Sequence, residues 1–168
     1  RAGVVVVNSP EGNTIAAAEH SVAMLMALSR KIPAAAASLA QGEWKRSKFV
    51  GVEVYNKTLG VVGFGKIGRE VARRARGLGM RVLAYDAFVS PEVARREGVE
   101  WVELPELYRE ADYITVHTPL TRDTRGMIGD AAFAQMKDGV RIINCARGGI
   151  IDEAALVRAL DSGKVAAA

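Results

Sequence analysis

Two hydrophobic periods alternate along most of this chain. Short β-branched runs read as buried strands: Leu59 to Val62, Arg81 to Tyr85, Tyr113 to Val116 and Val140 to Asn144, with a weaker one at Glu100 to Val102 and another beginning at Val165. Between them the apolar residues recur every three or four positions. Lys66 to Leu78 is expected to be a helix with Ile67, Val71, Ala75 and Leu78 inward, ending at Gly79. Ser90 is expected to cap a short helix with Pro91 at its first position and Gly98 as its stop. A helical turn follows at Glu106 to Glu110. Asp130 and Asp152 are expected to cap two further helices, to Met136 and to Asp161, with Gly163 ending the second. Strands alternating with helices imply a parallel sheet covered on both faces.

The first 57 residues follow a different pattern. Val4 to Val7 reads as a short strand, and Asn8-Ser9-Pro10-Glu11-Gly12-Asn13 as a loop or hinge. Thr14 to Lys31 is expected to be a helix with Ile15, Ala18, Val22, Leu25, Met26 and Ser29 on one face, capped by Asn13 or Thr14 and broken by Pro33. Ala34 to Gln41 is expected to be a second helix, ended by Gly42. Glu43 to Lys57 has no clear period.

Composition narrows the function classes. Apolar residues make up 49% of the 168 and charged residues 25%, which excludes global disorder. The longest apolar region, Ile15 to Leu28, is interrupted by Glu19, His20 and Ser21, so no membrane partner is expected. The net charge of +4 comes with arginine clusters at Arg73, Arg74 and Arg76 and at Arg95 and Arg96. These read as solvated helix faces rather than a nucleic-acid surface. The single cysteine, Cys145, suits a reducing, cytoplasmic compartment, and two histidines are too few for a structural metal site. The absence of an initiator Met and the apolar run at the end read as a segment of a longer protein.

Candidate chemistry concentrates at strand ends. Gly63-Phe64-Gly65-Lys66-Ile67-Gly68 is G-x-G-x-x-G between a strand and a helix, where the pattern can cradle a pyrophosphate. Gly63 allows the turn, Gly65 the approach of the phosphates, and Gly68 the packing of helix on strand. Asp86, 18 positions after Gly68, stands where a carboxylate accepts from adenosine ribose hydroxyls. Ala87, Phe88 and Val89 offer no cation for a 2′-phosphate, so NAD is expected over NADP. Arg147, between Ala146 and the pair Gly148-Gly149, fits either a bidentate clamp on a substrate carboxylate or an ion pair with Asp152. Cys145 reads as packing rather than a nucleophile. His117 reads as a polar residue orienting its loop, with a general base as the alternative, and His20 as packing or capping.

Four stretches together resemble the nucleotide-binding part of the D-isomer-specific 2-hydroxyacid dehydrogenases: Asn8 to Glu19, Lys57 to Ala72, Asp112 to Leu120 and Asn144 to Glu153. Trp44-Lys45-Arg46 and Phe49 tilt the resemblance toward members acting on a phosphorylated three-carbon hydroxy acid. The resemblance implies an α/β fold, a Rossmann-type doubly wound parallel sheet, as a truncated segment of a two-domain dehydrogenase. Residues 1–13 would be a remnant strand and hinge of the substrate domain, and 14–168 the NAD-binding domain, incomplete at its C-terminal end. Lys66 and Ile67 would meet the pyrophosphate through their backbone, and Thr118 would line the cofactor crevice. Cys145 and Ala146 would flank the nicotinamide. Arg147 would be the catalytic arginine that holds the substrate carboxylate and polarises its carbonyl. The family's catalytic histidine, its glutamate and a further aspartate would lie after Ala168, so the segment alone is expected to bind NAD without turnover. The helices of residues 14–41 would form a homodimer surface. Another enzyme of the same family, such as a glyoxylate reductase, and a non-enzymatic NAD-sensing module are the alternatives.

Overall fold

The computed structural model describes residues 3–7 and 12–168. The elements run α1 (Thr14–Ser29), α2 (Ile32–Ala40), a 3-10 turn (Arg46–Phe49), β1 (Thr58–Val62), α3 (Lys66–Gly77), β2 (Arg81–Tyr85), α4 (Pro91–Arg96) and β3 (Glu100–Trp101). They continue with α5 (Leu104–Glu110), β4 (Tyr113–Val116), α6 (Asp130–Gln135), β5 (Val140–Asn144), α7 (Glu153–Asp161) and β6 (Val165–Ala167). The six strands form one sheet in the order β3-β2-β1-β4-β5-β6, with every pair parallel. The order reverses between β1 and β4, which is the switch point where such sheets bind ligands.

Alternation along the strands divides the core into two layers. Leu59 and Val61 of β1, Tyr113 of β4 and Ile143 of β5 face α1 and α3. Val62, Ile114, Val116, Val140 and Ile142 face α5, α6 and α7. Both layers are needed because these strands carry apolar side chains on each face, and each buried one is worth about 1.5–3 kcal/mol. Gly60 leaves room for α5, since a Cβ there would stand 2.5 Å from a methyl of Leu107.

Helix α1 packs on the sheet through Ala18, Ser21, Leu25 and Ser29, all nearly inaccessible. The Ser29 hydroxyl donates to the Leu25 carbonyl at 2.7 Å and shares a hydrogen bond with the buried Tyr113 hydroxyl at 3.0 Å. Ile15, which the sequence placed inward, is 48% exposed at the first turn of the helix. The break between α1 and α2 is made by Lys31 in the left-handed region, at φ 54. Pro33 does not break a helix; it sits in the first turn of α2, where a missing N–H costs nothing.

Other expectations are corrected. Val4 to Val7 is not a strand: the four side chains are 75–89% exposed and pair with no neighbour among the described residues. A β run without a partner edge has no ladder to join. The hinge residues Asn8, Ser9, Pro10 and Glu11 lie outside the described residues. Neither Asn13 nor Ser90 caps its helix through its side chain. Gly129 holds the N-cap position of α6, and Asp130 pairs instead with Arg158 of α7 at 2.6 Å. Asp152 does cap α7, accepting from the Ala155 N–H at 3.0 Å.

Candidate functional site

The glycine loop joins β1 to α3 at the switch point. Gly63 takes φ +96, and a Cβ there would stand 2.7 Å from the His117 carbonyl carbon and 2.8 Å from the Thr118 nitrogen. Its hydrogen side chain is therefore set by the close passage of the β4 end as much as by the turn. Gly68 answers the same constraint from the helix, since a Cβ would fall 2.1 Å from the Gly63 carbonyl oxygen. Gly65 differs from both: nothing lies within 4 Å of where its Cβ would stand. That open backbone begins α3, whose first turn holds no acidic residue and whose N-cap makes no side-chain bond. The start of the helix and the positive end of its dipole then face the opening.

Asp86, one residue beyond β2, is tied to this loop. One carboxylate oxygen accepts from the Phe64 N–H at 2.7 Å. The other accepts from the Phe88 and Val89 N–H groups at 2.8 and 3.1 Å. The carboxylate is thus locked beside the glycine loop, on the β2 side of β1. One oxygen keeps a lone pair for a ribose hydroxyl.

On the other side of β1, the ends of β4 and β5 open into a cleft of about 500 Å³. Ile67 from α3, His117 and Thr118 just after β4, and Cys145, Ala146 and Arg147 just after β5 line it, with Ala17 of α1 as part of its roof. Asn144, just before Cys145, braces the loop that carries this lining. Its side-chain oxygen accepts from the Ala146 N–H at 3.0 Å, and its amide donates to the Arg147 carbonyl at 2.9 Å. The Arg147 side chain is exposed, donating to the Ala146 carbonyl at 2.8 Å, and meets no carboxylate among the described residues. The alternative of an ion pair with Asp152 is not realised, because Asp152 caps α7. His117 is half-buried, with Nε2 2.9 Å from the hydroxyl of Thr115, itself 1% exposed. Burial pushes its pKa down to about 4. The Thr118 hydroxyl oxygen is buried without a hydrogen-bond partner among the described residues. His20 stands exposed on α1, outside the cleft, and neither packs into the core nor caps a helix.

The structure therefore brings Ile67, Thr118, Cys145, Ala146 and Arg147 around one cleft and sets Asp86 across the glycine loop from it. Sequence reasoning missed Thr115 and Asn144. Thr115 shares the sheet face of His117 by strand alternation, and Asn144 is an asparagine opening a turn two residues ahead of the N–H it accepts. No group of three or more His, Cys, Asp or Glu side chains able to hold a metal occurs among the described residues. No single described helix is long and apolar enough to cross a membrane.

A dinucleotide fits this arrangement. The open cradle at Gly65, the start of α3 with no acidic residue in its first turn and the orphaned Thr118 hydroxyl lie along the switch point, with an oriented carboxylate at one end. In such a fit Gly63, Gly65, Lys66, Ile67 and Gly68 would hold the pyrophosphate and Asp86 the adenosine ribose. We expect NAD(H) to bind more tightly than NADP(H), and Asp86→Ala to narrow that gap in a calorimetric titration. Equal affinities in the unmutated chain would overturn the assignment of Asp86.

Comparison with known proteins points the same way. The D-isomer specific 2-hydroxyacid dehydrogenase NAD binding domain matches residues 22–168. The D-3-phosphoglycerate dehydrogenase of Rattus norvegicus is 54% identical over the whole chain, and that of Archaeoglobus fulgidus 54% identical over 99% of it. The chain spans about a third of the length of these relatives, 32% in each case. Among solved structures, a Salmonella D-lactate dehydrogenase superposes with a TM-score of 0.90 at 40% identity, covering 97% of this chain and 49% of that one. NAD is the cofactor named with the domain and with a related D-lactate dehydrogenase from Lactobacillus jensenii, which superposes with a TM-score of 0.84 at 38% identity over 98% of this chain and 50% of that one. The six-stranded parallel sheet with its glycine loop at the switch point thus belongs to the D-isomer-specific 2-hydroxyacid dehydrogenase family, as that family's NAD-binding domain.

Proposed function

We propose that this domain serves an enzyme that oxidises 3-phospho-D-glycerate to 3-phosphohydroxypyruvate with NAD, the first step of serine biosynthesis. The observation that carries the reaction class is the exposed guanidinium of Arg147, with no carboxylate partner among the described residues, on the wall of the β4–β5 cleft. A planar fork of donors there matches a carboxylate and the oxygen of the adjoining C2. When bound, NAD accepts the hydride released from C2. Arg147 would hold the substrate carboxylate and draw electron density toward the forming carbonyl. Cys145 and Ala146 would wall the nicotinamide, and Thr118 would line the crevice.

The pattern of likeness supports this substrate. Phosphoglycerate enzymes match at 54% identity along the whole chain, against 40% for the Salmonella D-lactate dehydrogenase. A second reading, oxidation or reduction of another small 2-hydroxy acid, is favoured by the close superposition on D-lactate dehydrogenases and on a glyoxylate reductase. The full-length protein should turn over 3-phosphoglycerate with kcat/KM at least tenfold above D-lactate or glyoxylate in an NADH absorbance assay. Preference for either of the others would overturn the substrate, and no turnover of any would favour an NAD-sensing module.

Within the 168 residues, the imidazole lining the cleft belongs to His117, which is held by Thr115 and kept neutral, so it is a poor general base. The segment alone would then bind NAD without turnover. The same reading makes the protein a cytoplasmic homodimer joined through residues 14–41, where Ile32 and Leu39 of α2 are more than half exposed.

A further inference from the structure

We propose that His117 is a positioning residue for the ribose on the nicotinamide side of the dinucleotide. Its ring is fixed from behind: Nε2 meets the Thr115 hydroxyl at 2.9 Å, and Thr115 is buried within β4. This leaves Nδ1 as the nitrogen that can serve a ligand, and His117 lines the cleft. An imidazole neutral above about pH 4 offers a hydrogen bond without adding a charge beside the pyrophosphate.

The sheet order identifies the part of the ligand that His117 meets. Asp86 follows β2 and the glycine loop follows β1, so the adenosine half lies over β2 and the pyrophosphate over β1. The other half must continue over β4 and then β5. His117 directly follows β4, and its carbonyl carbon would stand 2.7 Å from a Cβ at Gly63. It therefore stands one step past the pyrophosphate, where the second ribose begins. Cys145 directly follows Asn144, which pairs with Val116, and so lies a strand further on, with Arg147 after it. Those residues fall to the nicotinamide and the substrate.

The test is calorimetric binding of NADH, ADP-ribose and ADP to the purified chain and its variants. ADP-ribose carries the second ribose without nicotinamide, and ADP carries neither. His117→Ala should weaken NADH and ADP-ribose by roughly tenfold, the loss of one good hydrogen bond, and leave ADP within twofold. His117→Asn places a polar atom near the position of Nδ1 and should restore binding to within threefold. His117→Gln reaches instead toward Thr115 and should not. Thr115→Val, which frees the ring, should give an intermediate loss. Equal weakening of ADP would make His117 a mere support of the glycine loop, and unchanged NADH affinity would remove it from the site. Loss for NADH but not for ADP-ribose would move the contact to the nicotinamide. Each of these three outcomes overturns the proposal.

Discussion

Replacing Gly68 with alanine should both destabilise the domain by about 3 kcal/mol or more and abolish measurable dinucleotide binding. The added Cβ would meet the Gly63 carbonyl oxygen at 2.1 Å, and neither atom can yield cheaply. Gly63 is held from three directions: its N–H donates to the Tyr85 carbonyl at 2.8 Å, its φ is already positive, and the His117–Thr118 peptide presses on its Cα. Relief must come from lifting α3 off β1, which exposes Val71 and Ala75 and moves the start of the helix away from the phosphates. In thermal unfolding the loss corresponds to roughly 6–12 °C for a chain of this size. Gly65→Ala is the matched control. Its Cβ would enter open space at an ordinary φ of −73, so the melting temperature should stay within about 2 °C. NADH affinity should nonetheless fall at least tenfold, because that open space is where the pyrophosphate would lie. A Gly68→Ala variant that melts and binds like the parent would refute this account of the loop.

Arg147→Ala in the full-length enzyme should lower kcat/KM for the hydroxy acid by about 10²–10³, the usual scale for removing one donor aimed at developing charge. The guanidinium has no carboxylate partner among the described residues, so its removal leaves no orphaned charge and the fold should be unaffected. NADH affinity should change by no more than a few-fold. Arg147→Lys should recover little, since a point charge cannot reproduce the two parallel donors of the fork. Steady-state kinetics with a parallel NADH titration separates the effects. Retention of kcat/KM within threefold would take Arg147 out of the chemistry.

The sheet was legible in the sequence because β1, β2, β4 and β5 are buried on both faces, and such strands must be written almost wholly in apolar and β-branched residues. The glycine loop was legible because backbone contacts as close as those at Gly63 and Gly68 exclude every other residue. Capping was read less well. Asp130 and Asp152 look alike in sequence, but the nearby Arg158 draws Asp130 into an ion pair and leaves Asp152 to its helix. The same contest decided Arg147, whose candidate partner was already engaged. Thr115 and Asn144 escaped notice because their work is done through other residues, one behind His117 and one beneath the Arg147 loop. Val4 to Val7 shows the opposite failure: a run with every local mark of a strand pairs with nothing among the described residues.

The three N–H groups gathered by Asp86 bear on how a domain of this kind could change its coenzyme. Exchanging the carboxylate for an arginine to welcome a 2′-phosphate would strip Phe64, Phe88 and Val89 of their acceptor at the same moment. The loop that carries the new preference would come loose with the old one. A viable route keeps an oxygen at this position, as serine or asparagine does, and places the cation next door at Ala87, which is exposed. Natural variants that accept NADP should therefore differ at two adjacent positions rather than one, and intermediates carrying only the first change should bind both coenzymes weakly.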